Sequence, residues 1–328
     1  VLAADGAVAA LISNEFPEME IKILKGYGIS YSKNASLIGS MLQQLPGILQ
    51  SIKAEQQWLS DLLKKESFDL IISDNRPGFY SKQVPSVYIT HQLLIHSGKG
   101  KWMNRLLQKL HSRYMKEFTE VWVPDMEGEN NLAGELSHPS RPIIQPVYFG
   151  LLSRMQTTTG ETRYDLMILL SGPEPQRTIL EEKLITQLSL FKGTVLLVRG
   201  LPKTTSSSLQ LPKHIIVHNH LAAKELQQAI CSSQLIICRS GYTTLMDLVR
   251  LNKKAVLIPT PGQPEQEYLA QYMQQKQLFP FVEQRNIDIQ EATSIAANFT
   301  YTQAFSKKDF EQYGAAIATR IEELIRKK

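Results

Sequence analysis

The sequence lacks any long apolar run, and it contains very few cysteines. Its 328 residues include no stretch of eighteen or more consecutive apolar residues, so we expect no membrane-spanning helix. Only Cys231 and Cys238 are present, and neither stands at a metal-ligand spacing from a histidine. Two such cysteines fit a reducing cytoplasm, and no metal site is expected.

A strong charge of one sign is also missing. The chain has 36 Lys and Arg against 31 Asp and Glu, a mild net charge of +5. No surface of interleaved basic and aromatic residues is indicated, so we expect no nucleic-acid partner. A hydrophobic content of 43% is ordinary for a globular protein, and 328 residues are too many for one ordinary core. The sequence therefore predicts two domains.

What is present is an organised stretch at residues 235–270. The apolar run 235–238 is followed by a polar turn that ends in Gly241, and apolar residues then recur at helical spacing. The pattern predicts a strand, a tight turn and a helix. The first N–H groups of a helix have no intrahelical partner and carry partial positive charge, which favours phosphate. Gly241 would let such a ligand approach the backbone closely.

A second strand and loop follow directly. The run 255–258 ends in Pro259, and a loop of turn formers then leads to Gln266 and Glu267. In an open parallel sheet both loops emerge at the carboxyl edge, where such sheets bind ligands. Asp247 lies six residues after Gly241, where its carboxylate could accept hydrogen bonds from a ribose diol. The alternative for all three polar residues is an ordinary solvated surface.

The segments RSGYTTLMDL and LIPTPGQPEQEYLA resemble the donor half of glycosyltransferase family 28. The resemblance implies an α/β fold of the GT-B architecture, with two Rossmann-like, doubly wound parallel-sheet domains facing a cleft and a C-terminal helix that braces the first. It implies a donor site in which the turn binds the diphosphate, the acidic residue binds the ribose and a pair of polar residues binds the sugar. These residues are Ser240, Gly241, Tyr242, Asp247, Gln266 and Glu267, of which Glu267 departs from the usual glutamine.

Further donor contacts are expected at other strand ends of the second half. Ser171 and Gly172 follow the predicted strand 165–170, where the family has a Gly-Gly-Ser loop facing the diphosphate. Arg199 ends the next strand, where it could contact phosphate or equally pair with a carboxylate. His220 and Leu221 follow the strand 215–217, and the resemblance implies that this segment recognises uracil.

The first half is predicted to carry strands at 1–4, 20–24, 68–73, 86–90 and, as its last, 121–123. A helix over 37–65 is expected to break near Pro46. The start of the chain is typical of the second strand and helix of a doubly wound domain. We therefore expect a first strand, a Gly-rich loop and a first helix upstream. Because the first strand is central in this strand order, we expect the strands on its two sides to be separated here. A different strand order is the alternative.

Two residues at strand ends are catalytic candidates. His91 follows the strand 86–90, and an imidazole there can take a proton from an acceptor hydroxyl. It also resembles a His-containing segment of the family, whose members usually carry another His in the first Gly-rich loop. Asp74 follows the strand 68–73 beside Arg76, where a site role and a structural turn role are both open.

The stretch 99–116 predicts a basic amphipathic helix. Lys101, Arg105, Lys109 and Arg113 recur every four residues, and Trp102 begins an apolar face. Such a helix can lie on an anionic membrane surface. The alternative is a surface helix packed on its own core.

These patterns divide the chain into four parts. They are an acceptor-side domain at 1–148, a linker at 149–160, a nucleotide-sugar domain at 161–305, which includes a short strand at 279–282 and polar linkers, and a helix at 306–328. The resemblance implies inverting transfer of an N-acetylglucosamine-like sugar from a UDP-sugar to a glycan or lipid-linked hydroxyl of the cell envelope. No cofactor is expected, and the location would be cytoplasmic or peripheral on the inner membrane face. A UDP-sugar hydrolase and a non-catalytic donor-binding subunit completed by a partner chain are the alternatives.

Overall fold

The computed structural model describes residues 1–27, 37–98, 100–158, 160–202 and 209–326. Most of a polar loop predicted at 25–34 and of a Ser-rich loop predicted at 201–211 lies outside these residues, as does Lys99 at the start of the basic stretch. No helix in the described part of the chain combines the length and the apolarity needed to cross a bilayer.

The first half contains two separate parallel sheets. The smaller pairs β1 (Leu2–Ala4) with β2 (Ile21–Ile23). The larger joins four strands in chain order: β3 (Ile71–Asp74), β4 (Ser86–Ile89), β5 (Glu120–Val123) and β6 (Pro146–Tyr148). The helices of this half are α1 (Gly6–Glu15), α2 (Leu37–Leu63) and α3 (Lys101–Met115). The strands before and after α2 are therefore not joined, as the sequence predicted.

Two expectations for this half are wrong. The strand at 121–123 is not the last, because β6 follows it at the sheet edge. Pro146 is the first residue of β6. Proline has no N–H to donate to a neighbouring strand, but at the first position of an edge strand this missing donor is tolerated. Pro46 does not break α2, which runs continuously over 27 residues. Loss of one hydrogen bond does not end a helix whose other turns remain bonded.

The second half is a five-stranded parallel sheet flanked by helices. Its strands are β7 (Tyr164–Leu169), β8 (Val195–Val198), β9 (Ile215–His218), β10 (Ser233–Cys238) and β11 (Ala255–Leu257), in the spatial order β11-β10-β7-β8-β9. The helices are α4 (Gln176–Leu188), α5 (Ala223–Cys231), α6 (Tyr242–Arg250), α7 (Pro264–Gln275), α8 (Ile289–Asn298), α9 (Lys308–Glu311) and α10 (Tyr313–Arg326). The strand order reverses between β7 and β10, and such a switch point opens a crevice at the carboxyl ends of the strands.

The central strands of this sheet are apolar on both faces. All residues of β8 and β11 are buried, as are most of β10 and the central three residues of β7. Two core clusters, one on each face, result from this pattern. Parallel strands covered by helices on both sides produce such continuous apolar runs, and the predicted α/β fold is confirmed.

Three details of the second half differ from expectation. Residues 289–298 form α8 instead of a polar linker, and Asp288 caps that helix by accepting from Glu291 N–H. The predicted strand 279–282 is only an isolated bridge between Leu257 and Phe281. The final helix is divided, because α9 ends before Gln312 and α10 begins after it. Short polar helices and single bridges depend on tertiary contacts more than on apolar periodicity.

Helix α10 crosses back to the first half. Its Leu324 packs with Val87, Trp122 and Phe149 under the four-stranded sheet. Arg320 of the same helix donates to Glu120 of β5, with 3.1 Å between Nε and Oε2. The bracing role predicted for the terminal helix is therefore present.

We expect Leu324→Ala to lower the free energy of unfolding by about 2–4 kcal/mol, because it leaves a cavity in a packed cluster. Leu324 is 2% exposed, whereas its neighbour Ile325 is 38% exposed. Ile325→Ala is the matched control and should cost under about 1 kcal/mol. Urea unfolding followed by tryptophan fluorescence measures both. Equal losses for the two variants would show that α10 does not brace the sheet.

Candidate functional site

Three turns lie side by side at the switch point of the second sheet. They follow β7, β10 and β11, which are neighbours in the sheet. A Cβ atom added to Gly172 would lie 3.8 Å from Thr260 Oγ1, so the turns after β7 and β11 face each other. The turn after β10 lies between them and leads into α6. This arrangement makes one continuous crevice at the carboxyl edge.

The start of α6 is open to a ligand. Gly241 precedes it with extended backbone angles, φ −71° and ψ 138°, and no side chain caps its N–H groups. A Cβ atom on Gly241 would meet nothing within 4 Å. Neither backbone strain nor packing therefore requires a glycine at this position. The free N–H groups and the open space are what an anion such as a diphosphate needs.

Arg239 ties the three turns together. It is 1% exposed. Its Nη1 donates to Ile258 O at 3.2 Å and to Pro259 O at 3.3 Å, and its Nη2 donates to Gln176 O at 2.8 Å. Burial lowers the pKa of Arg239 to about 10, so the side chain stays charged at neutral pH. The sequence interpretation omitted this residue from the site, although its place between a buried strand and the Ser-Gly turn was a usable signal.

Ser240, Gln266 and Glu267 hold the loop after β11. Ser240 Oγ donates to Gln266 O at 2.8 Å. The Oε1 atom of Gln266 accepts from Thr260 N–H at 2.9 Å, and that of Glu267 accepts from Gly262 N–H at 2.8 Å. The structure thus brings the two segments of the predicted donor motif together. Their contact with a sugar stays a prediction.

Asp247 lies near the linker between the two halves. Its Oδ1 accepts a hydrogen bond from Ser153 Oγ at 2.7 Å. Burial raises the pKa of Asp247, and Ser153 together with the charge of Arg154 opposes that rise. The carboxylate is therefore oriented by the linker, and its predicted contact with ribose stays a prediction.

Arg199 is engaged by a buried carboxylate. Its Nη2 lies 3.2 Å from Glu181 Oε2, its Nη1 donates to Asn219 Oδ1 at 3.1 Å, and Arg177 Nη1 contacts the same Glu181 at 3.0 Å. Of the two roles left open for Arg199, pairing with a carboxylate is the one that the structure shows. We propose that this network supports the turns after β7 and β8.

The network makes a prediction about pH. Burial by itself raises the pKa of Glu181, but hydrogen bonds and charge from Arg199 and Arg177 outweigh it, and the pKa lies below the ordinary glutamate value. A lowered pKa in the folded state contributes stability that is complete above the unfolded-state value and is lost as the pH falls through the folded-state value. We expect Glu181→Gln to cost about 3 kcal/mol at neutral pH. The difference from wild type should be constant above about pH 5 and shrink as the pH falls below the ordinary glutamate pKa of about 4.3.

Chemical denaturation at several pH values measures this difference. The matched control is Glu182→Gln, since Glu182 is the next residue along α4 and is exposed. This control should change the stability by under about 0.5 kcal/mol. A pH-independent loss for Glu181→Gln would contradict the ion-pair explanation.

The remaining predicted donor residues lie around the same edge. Ser171 is exposed in the turn after β7, and His220 is exposed after β9. Leu221 is buried in the core cluster beneath α5. His220 and Leu221 also line a pocket of about 250 Å³. Their predicted role in recognising a base stays a prediction.

His91 faces the second half across the cleft. Its Nε2 lies 2.8 Å from Glu265 Oε1, at the start of α7. The imidazole also stacks on Tyr242, the first residue of α6, with ring centroids 4.3 Å apart and planes 13° apart. His91 is thus held directly beside the helix start described above. Glu265 was missed as a site residue, although a carboxylate in the first turn of α7 was visible in the sequence.

Tyr242 serves as a contact between the two halves. Its hydroxyl donates to Pro124 O at 2.7 Å, and its ring is buried against His91. A second contact of this kind joins Glu135 N–H to the hydroxyl of Tyr268 at 2.7 Å. The side chain of Tyr242 therefore orients His91. A direct contact between Tyr242 and a sugar nucleotide would come from the backbone of Tyr242.

Asp74 lies at the same sheet edge as His91. It pairs in register with Ile89, two residues before His91 in the neighbouring strand. Desolvation raises the pKa of Asp74, and the nearby charge of His91 opposes this rise. The two catalytic candidates are therefore neighbours, although no hydrogen bond joins them. Within the described residues no group of three His, Cys, Asp or Glu side chains is placed to hold a metal ion.

Comparison with known proteins identifies the second half. Residues 178–325 match the model of the glycosyltransferase family 28 C-terminal domain. The match contains the turn after β10, α6, the loop after β11 and α10, so it covers most of the crevice described above. No curated protein matches the chain by sequence.

Solved structures show the fold of the whole chain. The calicheamicin glycosyltransferase CalG4 is 13% identical, with a TM-score of 0.59 over 98% of this chain and 90% of that one. VinC in complex with DTDP is 12% identical, with a TM-score of 0.59 over 99% and 92%. MurG of Acinetobacter baumannii is 12% identical, with a TM-score of 0.50 over 98% of each chain. The predicted GT-B fold is confirmed for the whole chain. The match of residues 178–325 supports the predicted family and the predicted enzyme class, a glycosyltransferase.

Proposed function

We propose that this family 28 glycosyltransferase moves a sugar from a UDP-sugar to an acceptor hydroxyl with inversion at the anomeric carbon. The observation that carries the proposal is the pairing of His91 with Glu265 beside the first turn of α6. The residue that we propose as the base thus lies on one half of the molecule, next to the helix start on the other half that we propose as the anion site. In a two-domain transferase the reacting atoms meet between these two groups.

The pair defines how a proton would move. Glu265 accepts the hydrogen bond from Nε2–H of His91, which leaves the lone pair on Nδ1 as the base. Nδ1 takes the proton of the acceptor hydroxyl while that oxygen bonds to the anomeric carbon. The bond from this carbon to the diphosphate oxygen breaks, and its electron pair leaves with UDP. The N–H groups at the start of α6 stabilise the departing charge.

We assign the donor contacts by their places around the crevice. The diphosphate would lie against Gly241, where an added Cβ would meet nothing within 4 Å, and beside Gly172 in the facing turn. The ribose would lie toward Asp247, and the sugar would lie along the loop held by Gln266 and Glu267. An N-acetylglucosamine-like sugar is the donor that we test first. The carboxylate of Glu267 would accept hydrogen bonds from sugar hydroxyls.

We further propose that the acceptor is a glycan or lipid-linked molecule of the cell envelope, reached at the inner face of the membrane. Helix α3 supports this proposal. Trp102 is 65% exposed and Leu106 is 46% exposed on one side of it. The exposed cations Lys101, Arg105, Lys109 and Arg113 flank these two residues. Exposed aromatic and basic residues on one helix suit an anionic lipid surface.

Calorimetric titration tests the donor proposal. The intact chain would be titrated with UDP, UDP-N-acetylglucosamine, TDP and ADP. We expect UDP and its sugar to bind, with ADP at least about tenfold weaker, and Asp247→Ala and Gln266→Ala to weaken binding of the sugar nucleotide. Equal binding of all nucleotides would contradict the assignment of a UDP site. Release of free sugar from the donor without an acceptor would identify a hydrolase instead.

Vesicle sedimentation tests the membrane proposal. We expect vesicles of phosphatidylglycerol to bind the chain and vesicles of phosphatidylcholine not to bind it. The double variant Trp102→Ser, Leu106→Ser should lose this binding. Ile216→Ser is the control, because Ile216 is a similarly exposed apolar residue on β9. Binding that persists in the double variant would contradict a role for α3.

A further inference from the structure

The loop that follows His91 has no regular secondary structure of its own. It comprises residues 92–98, in the connection between β4 and α3. Leu93 and Ser97 are buried, so parts of this loop lie inside the protein. Backbone N–H and C=O groups buried in this way need hydrogen-bond partners, which an irregular segment does not supply from within itself. The partners of these groups therefore determine how firmly the chain beside His91 is held.

An amide side chain of α3 clamps the middle of the loop. The Oε1 atom of Gln108 accepts from Ile95 N–H at 2.9 Å, and its Nε2 donates to Leu93 O at 2.8 Å. A side-chain amide carries an acceptor and a donor side by side, so one glutamine can satisfy two backbone groups of a neighbouring segment. Gln108 thus fixes residues 93 and 95 relative to α3.

A second amide side chain of α3 holds the end of the loop. The Oδ1 atom of Asn104 accepts from Ser97 N–H at 2.8 Å, and it also accepts from the hydroxyl of Ser97. Asn104 and Gln108 are four residues apart, so they lie on the same face of α3. That face is directed at the loop. We call Asn104 and Gln108 the amide pair.

The amide pair acts close to His91 in the chain. On the N-terminal side, His91 follows β4, which is hydrogen-bonded to a strand on either side. On the C-terminal side, the clamp by Gln108 begins at Leu93, only two residues away. Because the backbone is fixed on both sides, the imidazole has few positions to choose from. The position that it takes is beside Glu265 and against the ring of Tyr242.

We propose that Asn104 and Gln108 are positioning residues, which fix the loop after His91 and so hold its imidazole against Glu265 and Tyr242. The expected effect on the rate rests on the proposed function of His91 as the base, whereas the expected effect on the ring position does not. A general base must lie within hydrogen-bond reach of the proton that it takes. A displacement of about 1 Å can cost roughly 100-fold in rate.

Nuclear magnetic resonance of the intact chain tests the ring position without a substrate. With isotope-labelled histidine, the Cε1–H signal of His91 is the one that disappears in His91→Gln. Because this ring stacks on Tyr242 with centroids 4.3 Å apart, the ring current of the tyrosine should shift the signal upfield. We expect Gln108→Leu to move it toward the position of histidine in the unfolded chain. Spectra at a single alkaline pH remove the effect of protonation, and an unchanged His91 signal would overturn the proposal.

Gln187→Leu is the matched control. Gln187 makes the same clamp on another segment, because its Nε2 donates to Ile287 O at 3.0 Å and its Oε1 accepts from Ile289 N–H at 2.8 Å. It lies in the last turn of α4, at the end of that helix away from the crevice. Both variants should lower the urea midpoint of unfolding, but only Gln108→Leu should move the His91 signal. Equal movement in both would attribute the change to lost stability and would contradict the proposal.

Asn104 allows a rescue by a conservative variant. Asn104→Asp keeps the oxygen that accepts from Ser97, whereas Asn104→Leu removes it at nearly the same side-chain size. We expect the His91 signal to stay at its wild-type position in Asn104→Asp and to move in Asn104→Leu. The same signal position in these two variants would show that the hydrogen bond to Ser97 has no part in placing the ring.

A double variant tests whether Gln108 acts through His91. The assay measures transfer from UDP-N-acetylglucosamine to octyl glucoside, a soluble sugar with a lipid chain. We expect Gln108→Leu alone to lower kcat about 10-fold to 100-fold, with the Kd of UDP unchanged. In the His91→Gln background the same substitution should lower kcat by less than about twofold, since residues that act as a unit are not additive.

The outcomes separate this proposal from the proposed function. An equal loss of kcat from Gln108→Leu in both backgrounds would overturn the role of Gln108 as a positioning residue. A wild-type kcat in His91→Gln would instead contradict the proposed function of His91 as the base. The spectral test decides the position of the ring whichever acceptor the enzyme uses.

Discussion

Replacement of His91 by Gln is expected to lower kcat by about 100-fold to 10,000-fold, the usual contribution of a general base. The binding of UDP should change by less than about threefold, because the donor crevice is built from the second half alone. His91 is placed for this role by two groups of that half, Glu265 at 2.8 Å and the stacked ring of Tyr242. Single-turnover kinetics with saturating donor measures the chemical step.

His96→Gln is the matched control for this prediction. His96 also stacks on a tyrosine of the second half, Tyr268, with centroids 5.1 Å apart, and it lies 3.9 Å from Glu135. It shares the interface position of His91 but lies away from the start of α6. Its substitution should leave kcat within about threefold of wild type. Equal losses in the two variants would mean that His91 only holds the two halves together.

Gly241→Val is expected to weaken the binding of UDP at least 100-fold while leaving the stability within about 0.5 kcal/mol of wild type. The backbone angles of Gly241 suit any residue, and an added Cβ meets nothing within 4 Å. The Cβ of valine therefore meets no protein atom within 4 Å, and we expect the two methyl groups beyond it to fill the space that we assign to the diphosphate. Calorimetric titration and thermal unfolding measure the two quantities separately.

Gly314→Val is the control for the second prediction. A Cβ on Gly314 also meets nothing within 4 Å, but this residue lies in α10, far along the chain from the crevice. Its substitution should change neither stability by more than about 0.5 kcal/mol nor nucleotide affinity. Unchanged UDP binding in Gly241→Val would place the diphosphate elsewhere.

Local patterns predicted most of the regular structure. Strands such as β8 and β10 were found because a parallel strand covered on both faces is a short apolar run between turns. The start of α6 was found because a strand, a Ser-Gly turn and helical periodicity follow one another in the sequence. The strand β6 and helix α8 were missed, since a proline-led edge strand and a polar helix carry little apolar periodicity.

The candidate site was only partly accessible to the same reasoning. Gly241 and His91 were recognised at separate strand ends. Their meeting depends on Glu265 and Tyr242, which are far from His91 in the sequence. The role of Arg199 was left open between phosphate and carboxylate, and the buried Glu181 decided for the carboxylate. Pairings of this kind depend on which side chains the fold places together.

The sequence by itself determined the α/β class, the two halves and the strand, turn and helix around Gly241. Each of these follows from short-range alternation of apolar residues and from turn residues that are close in the chain. Only the tertiary structure decided that His91 pairs with Glu265 and that Arg239 joins three turns. These features join residues distant in sequence, and their energies come from burial and hydrogen bonding that exist only after the chain has packed.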